Sequence, residues 1–204
     1  MSRLVALTGA AGCGKTTIGR ALIDAWSING DCVSPLSFAM PLRDMVASLL
    51  RCVPDLGDED IQHLLYTQEG KATPVAALGG KTPRQILQTL GTEWGRAHLG
   101  SAVWSDLGVA WALRLLRDGV DAVIFDDARF AEEALAIRAA GGVTVRLVRP
   151  GADPVATHGH ASEAGIPADL IDLDVINVGP ADAVAAKITR KINDLYTSRA
   201  AANA

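Results

Sequence analysis

The sequence is short of several things, and each shortage removes a class of function. Its cysteines, Cys13, Cys32 and Cys52, are scattered with no Cys-x-x-Cys pair. That pattern suits neither a zinc ribbon nor a disulfide framework, and it points to a reducing compartment. No run of about 18 apolar residues occurs, so no membrane span is expected. Lys and Arg do not outnumber Asp and Glu: the formal net charge is −4, which gives no electrostatic case for a duplex nucleic-acid partner. A strand is reached by Leu4, leaving no room for a secretory leader, so a cytoplasmic protein is expected. Aromatic residues are only 4%. Trp94, Trp104 and Trp111, at helical spacing, are expected in the core, with Trp94 kept open because it shares a helix with Arg84.

What is present is a globular composition, 49% hydrophobic and 21% charged over 204 residues, enough for one domain with a substantial core. Its anchor is the stretch Leu4-Val5-Ala6-Leu7-Thr8-Gly9-Ala10-Ala11-Gly12-Cys13-Gly14-Lys15-Thr16-Thr17. An apolar strand stops at Gly9, and Gly14-Lys15-Thr16 opens a helix. This is the G-x-x-x-x-G-K-[ST] phosphate-binding loop, in its required strand–loop–helix setting. The glycines let backbone N–H groups approach phosphate oxygens, and the helix N-terminus adds positive potential. Ala11, Gly12, Cys13, Gly14, Lys15, Thr16 and Thr17 are therefore the expected nucleotide-phosphate-binding segment. Lys15 would reach the outer phosphates and the Thr16 hydroxyl would hold Mg²⁺. Cys13 reads as incidental, a small residue where the backbone does the binding.

Beyond the loop, periodicity predicts a helix over 16–26, a strand over 31–36 and a helix after Pro41 whose inward stripe is Leu42, Met45, Val46, Leu49 and Leu50. Residues 54–60 form an acidic loop, 61–66 a short helix and 70–80 a loop. Thr82-Pro83-Arg84-Gln85 combines an N-cap, a proline at the first helical position and a capping box. That helix runs on past Trp94, and another covers 102–117. The buried strand 122–125 ends at Asp126-Asp127. A helix over 132–140, a strand over 143–148, a loop over 149–172, a strand over 174–178 and a helix over 180–196 follow, with a frayed tail from Thr197. Alternating strands and helices imply a parallel sheet covered on both faces, a three-layer α/β fold.

Carboxylates at the carboxyl end of a parallel strand face the ligand crevice. Asp127, or Asp126, is therefore the expected partner of Thr16 at the metal, and spacing does not choose between them. Arg129 lies just past that strand end, Arg84 in the first turn of its helix and Arg43 after the second strand. Three arginines in such positions suit a clamp on an acceptor phosphate. His158 and His160 lack an evident third ligand and are expected to be solvated.

Several further stretches carry a family resemblance. They are Ser37-Phe38-Ala39-x-Pro41-Leu42-Arg43, the block from Lys81-Thr82-Pro83-Arg84-Gln85 through Leu90-Gly91-Thr92-Glu93-Trp94-Gly95-Arg96, and Asp127-Ala128-Arg129-Phe130-x-x-Glu133. Arg149-Pro150-Gly151, His160-Ala161-Ser162-Glu163 and Asp174-Val175-Ile176-Asn177 follow in order. Together they resemble the deoxynucleoside monophosphate kinases of tailed bacteriophages. The resemblance implies a single P-loop kinase domain over 1–204, nucleoside monophosphate kinase-like, with an acceptor-binding helical insert at about 38–100 and a lid at about 149–170. It implies ATP with Mg²⁺ as donor, a deoxynucleoside monophosphate as acceptor, and the host-cell cytoplasm if phage-encoded. By position, Phe38, Ala39 and Arg43 would line the acceptor pocket, and Arg84, Gln88 and Trp94 would contact its phosphate or base. Arg129 would bridge the phosphates, Glu163 would lie near the acceptor, and Asp174 and Asn177 at the adenine end. Lys15, Arg84, Asp127 and Arg129 are then the catalytic set. Dephospho-coenzyme A kinase and a non-catalytic nucleotide-binding protein are the competing readings, and the choice between monomer and homodimer stays open. Two departures stand out: Met40 and Arg43 replace an acidic residue and a lysine common in the family, and Asp126 replaces a small hydroxyl residue.

Overall fold

The computed structural model describes residues 3–151 and 165–202. They divide into two compact units, one made of Met1–Phe38 with Ser105–Ala204 and the other of Ala39–Trp104.

The first unit is built on a five-stranded, all-parallel sheet in the order β2-β3-β1-β4-β5, with β1 Arg3–Thr8, β2 Val33–Leu36, β3 Ala122–Phe125, β4 Val143–Val148 and β5 Leu173–Ile176. Its central strands are largely apolar because helices cover both faces. On one face α1 (Lys15–Ile28) and the closing helix Ala181–Ala202 bury Ile18, Leu22, Trp26, Ile188 and Ile192 against Val5, Leu7, Ile124 and Val145. On the other, Phe38, Val109, Ala112, Ala134 and Ile137 meet Leu4, Ala6, Val123 and Phe125. The chain leaves β1 toward one edge of the sheet and β3 toward the other. The switch point therefore falls between these neighbours, and the loops after β1 and β3 flank the crevice where ligands bind in such sheets.

Two expectations about this unit change. Residues 197–202 are helical rather than frayed: the closing helix reaches Ala202, with Arg199 donating to Gly142 O (3.0 Å) and pairing with Asp172 (2.8 Å). Cys13 is not incidental packing either. It is 1% exposed and belongs to the α1-side core, so the loop is seated in the apolar interior.

The second unit is helical: α2 (Met40–Leu50), α3 (Asp58–Tyr66), α4 (Gln68–Ala72), a 3-10 turn (Ala76–Leu78), α5 (Pro83–Gln88) and a π-helix (Thr89–Leu99), before α6 (Val103–Arg117) begins. Its core is Val46, Leu50, Ile61, Leu64, Leu65 and Val75. The stripe on α2 is narrower than expected, with Leu42, Val46 and Leu50 buried at four-residue spacing while Met45 and Leu49 are exposed. The stretch expected as loop contains α4 because Gly70, which reads as a breaker, is a packing device. A Cβ there would stand 2.2 Å from His63 O, so only glycine lets α4 close onto α3. The Thr82 capping box is present, with Gln85 N donating to Thr82 Oγ1 (3.2 Å) and Thr82 N to Gln85 Oε1 (3.0 Å). Such a cap stabilises a helix by about 1 kcal/mol.

Candidate active site

The phosphate-binding loop is held from three directions. Gly9 (φ 137°), Gly12 (φ 75°) and Gly14 (φ 95°) occupy left-handed or related backbone that side chains avoid. A Cβ on Gly9 would stand 2.4 Å from Leu147 O, and one on Gly14 2.5 Å from Asn177 Nδ2. Asn177, just past β5, donates to Cys13 O at 2.7 Å and so ties the loop to the sheet. This is a loop-shaping contact; composition gave no signal for it, and Asn177 was marked only by the family resemblance, for a place at the adenine end. Buried Cys13 clamps the loop from beneath.

Lys15 folds back over the loop it follows. Its Nζ donates to Gly9 O (2.8 Å) and Ala10 O (2.9 Å), with Cys13 Sγ at 3.8 Å. Burial pushes its pKa below the ordinary lysine value, and the Arg129 guanidinium pushes the same way; Cys13 and Asp126 oppose them. An ammonium held among carbonyl dipoles, with a second cation near, is a site short of negative charge. Phosphate oxygens supply that charge. The Thr16 and Thr17 side chains stand exposed on the first turn of α1.

At the end of β3 the structure brings Asp126 and Arg129 into the electrostatic neighbourhood of Lys15. Asp127 instead reaches across to the end of β2, accepting hydrogen bonds from Ser37 Oγ and from Phe38 N (3.0 Å). The Phe38 ring is 2% exposed and stacked on Phe125 with centroids 4.1 Å apart, so it faces the core. Arg129 is exposed, and its backbone N donates to buried Glu133 (2.6 Å), which also accepts from Phe130 N (3.0 Å). Glu133 therefore sets the turn that presents Arg129, a role that a capping pattern at 130–133 could have suggested. Asp174 is engaged by Arg146 through two contacts (2.6 and 2.8 Å), which hold its carboxyl below the usual range. A cavity of about 330 Å³ lined by Arg3, Asp31, Asp121, Asn193, Tyr196 and Thr197 lies at the opposite, amino end of the strands, away from this chemistry.

In the second unit, taken by itself, Arg84 is exposed and donates to Gln68 Oε1 at 2.9 Å. Arg43 lies over the Tyr66 ring with its guanidinium 5.5 Å from the centroid. Gln88 ends α5, Ala39 caps α2, and Trp94 on the π-helix is 40% exposed rather than core. Trp111 is also exposed, at 44%, whereas Trp104 is buried. Trp104 explains two glycines of the 81–96 block. Its Nε1 donates to Gly91 O (2.8 Å), and a Cβ on Gly95 would stand 2.2 Å from its ring. Glu163, His158, His160 and the middle of the 149–170 segment lie outside the described residues.

Comparison with protein-family models gives no match. A protein of Acanthamoeba polyphaga mimivirus, provisionally named a deoxynucleotide monophosphate kinase, is 33% identical over 163 residues, 76% of this chain and 78% of its own length. The deoxynucleoside-5'-monophosphate kinase of Escherichia phage T5 is 25% identical over 229 residues, 87% of this chain and 90% of its own. The chain belongs to the deoxynucleoside monophosphate kinase family. Among solved structures, the APS kinase CysC of Mycobacterium tuberculosis (Cys556Ala mutant) superposes with a TM-score of 0.50 at 13% identity, covering 94% of this chain and 97% of that one. At that identity it speaks for the fold, and the fold it supports is that of a P-loop kinase. Such kinases use ATP with magnesium. Among the described residues no helix is long and apolar enough to cross a membrane.

Proposed function

We propose that this member of the deoxynucleoside monophosphate kinase family transfers the γ-phosphoryl group of ATP to a deoxynucleoside 5'-monophosphate. The observation that carries the reading is the Lys15 ammonium, desolvated over the loop carbonyls, with Arg129 and Asp126 beside it. This is a cation pair with one carboxylate, arranged around a place for phosphate oxygens.

In this reading the N–H groups of Ala11 to Thr17 cradle the donor phosphates, and Lys15 exchanges its bonds to Gly9 O and Ala10 O for bonds to phosphate. Arg129 carries charge that develops on the transferring group. Arg84 and Arg43 of the second unit take the acceptor phosphate, and Gln88, Trp94 and Ala39 its nucleoside. Phe38, stacked on Phe125, fixes the backbone at the end of β2. An acceptor phosphate oxygen bonds to the γ-phosphorus as the bond from that phosphorus to the β–γ bridging oxygen breaks, and ADP leaves. The nucleophile is already anionic, so no protein base is needed and positioning carries the catalysis.

The donor set near Lys15 fits magnesium: a hydroxyl (Thr16) and strand-end carboxylate oxygens are hard ligands, and this ion is usually held by one or two carboxylates plus substrate phosphates. Magnesium, when bound, neutralises charge on the β- and γ-phosphate oxygens. Asn177 shapes the loop, and Asp174 with the 149–170 segment completes the donor side.

The test is a coupled assay offering ATP with a panel of deoxynucleoside monophosphates, and separately with dephospho-coenzyme A. Formation of deoxynucleoside diphosphate is expected. Turnover on dephospho-coenzyme A alone, or nucleotide binding with no transfer, would overturn the reading.

A further inference from the structure

Strand β3 runs into two consecutive carboxylates, and the fold separates them. Along β3, Ala122 and Ile124 enter the core covered by α1, while Val123 and Phe125 enter the core containing Phe38. Continuing that alternation sends Asp126 to the α1 side and Asp127 to the Phe38 side. The contacts agree with the parity. Asp126 Cβ lies 3.4 Å from where a Cβ on Gly19 would stand, in the second turn of α1, and its charge acts on Lys15. Asp127 faces the other way and receives Ser37 Oγ and Phe38 N. Among the described residues none donates a hydrogen bond to Asp126, which is nonetheless half-buried.

A half-buried carboxylate without a donor, packed on the second turn of α1 and within electrostatic reach of the Lys15 ammonium, is stabilised by a cation arriving on that side. One already receiving a hydroxyl on one oxygen and a backbone N–H on the other is committed to the end of β2. We infer that Asp126 is the metal-side carboxylate of this enzyme, acting with Thr16, and that Asp127 is a positioning residue: a clasp fixing the end of β2 at Ser37 and Phe38. The inference rests on the proposed kinase reading. It assigns to Asp126 the charge that the neighbouring aspartate would otherwise supply.

The experiment follows Mn²⁺ by electron paramagnetic resonance as it binds the full-length protein with a non-hydrolysable ATP analogue. Asp126→Asn is expected to weaken Mn²⁺ binding about tenfold or more, the scale of losing a supporting metal partner. Its far-UV circular dichroism and its metal-free binding of the analogue should stay close to wild type. Asp127→Asn and Ser37→Ala should leave Mn²⁺ affinity within about twofold and lower the melting temperature instead. If Asp127→Asn does not fold, Ser37→Ala and Asp126→Asn decide between them. Unchanged Mn²⁺ affinity in Asp126→Asn, or a larger loss in folded Asp127→Asn, overturns the assignment. Failure of the wild type to bind the ATP analogue overturns the functional reading itself, and is seen before any variant is compared.

Discussion

The two units present their candidate phosphate ligands in opposite ways. In the sheet unit the ligands are backbone groups whose conformation is dictated, by glycines that tolerate no Cβ, by Asn177 on Cys13 O and by Cys13 in the core. In the helical unit the candidates are long side chains, Arg84 donating to Gln68 and Arg43 lying over the Tyr66 ring. One site is preorganised before substrate arrives. The other rests on side chains, and the neutral contact to Gln68 binds the Arg84 guanidinium less firmly than a phosphate does. A donor common to many reactions can be met by fixed backbone, whereas acceptor choice rests on side chains, where a few substitutions retune it.

The comparison breaks most visibly at Lys15. Lys15→Met should lower transfer by about 10²–10³-fold or more, the scale of removing a preorganised charge stabiliser, while the ligand-free protein melts no lower than wild type. The pH dependence sharpens this. Because burial depresses the folded-state value below the ordinary 10.5, the unfolded chain binds more protons in the window just under it. The Lys15 contribution to stability therefore rises with pH through that window and is lost as pH falls. Thermal melts across that range should show a slope in the wild type that Lys15→Met lacks.

Next in size is Gly9→Ala, which imposes left-handed strain and a contact with Leu147 O. A cost of about 2 kcal/mol or more is expected, read as a lower denaturation midpoint together with weaker ATP binding. Arg84→Ala should do the reverse, raising the acceptor KM about 10–100-fold with stability and ATP KM nearly unchanged. The smallest effect belongs to Trp104→Phe. Losing the bond to Gly91 O should cost about 1 kcal/mol in a melt and raise the acceptor KM modestly, because the π-helix carrying Trp94 loosens.

Much of the sheet unit was legible because its signals are local and redundant. β3 and β4 end where their apolar runs end, and the loop motif names its own conformation. The Thr82 cap was legible for the same reason. What escaped needed distance information. Gly70 stands in a stretch expected as loop, and Gly91 and Gly95 carry no packing signal of their own, yet each marks a close approach to another residue. The π-helix differs from an α-helix by too little in period to show over eleven residues. The tail beyond Thr197 reads as frayed until Asp172 and Gly142 O come within reach of Arg199. The split between Asp126 and Asp127 was half-legible: alternation from Ile124 and Phe125 assigns their faces, but only the hydrogen bonds at Ser37 and Phe38 show which carboxylate is engaged.

The most direct test of a donor site in one unit and an acceptor site in the other is binding measured one ligand at a time. Calorimetric titrations of a non-hydrolysable ATP analogue and of a deoxynucleoside monophosphate would be run on wild type, Lys15→Met and Arg84→Ala. The account predicts a crossed result: Lys15→Met loses the ATP analogue and keeps the monophosphate, and Arg84→Ala loses the monophosphate and keeps the analogue. Parallel losses of both ligands in either variant, with the fold intact, would contradict it.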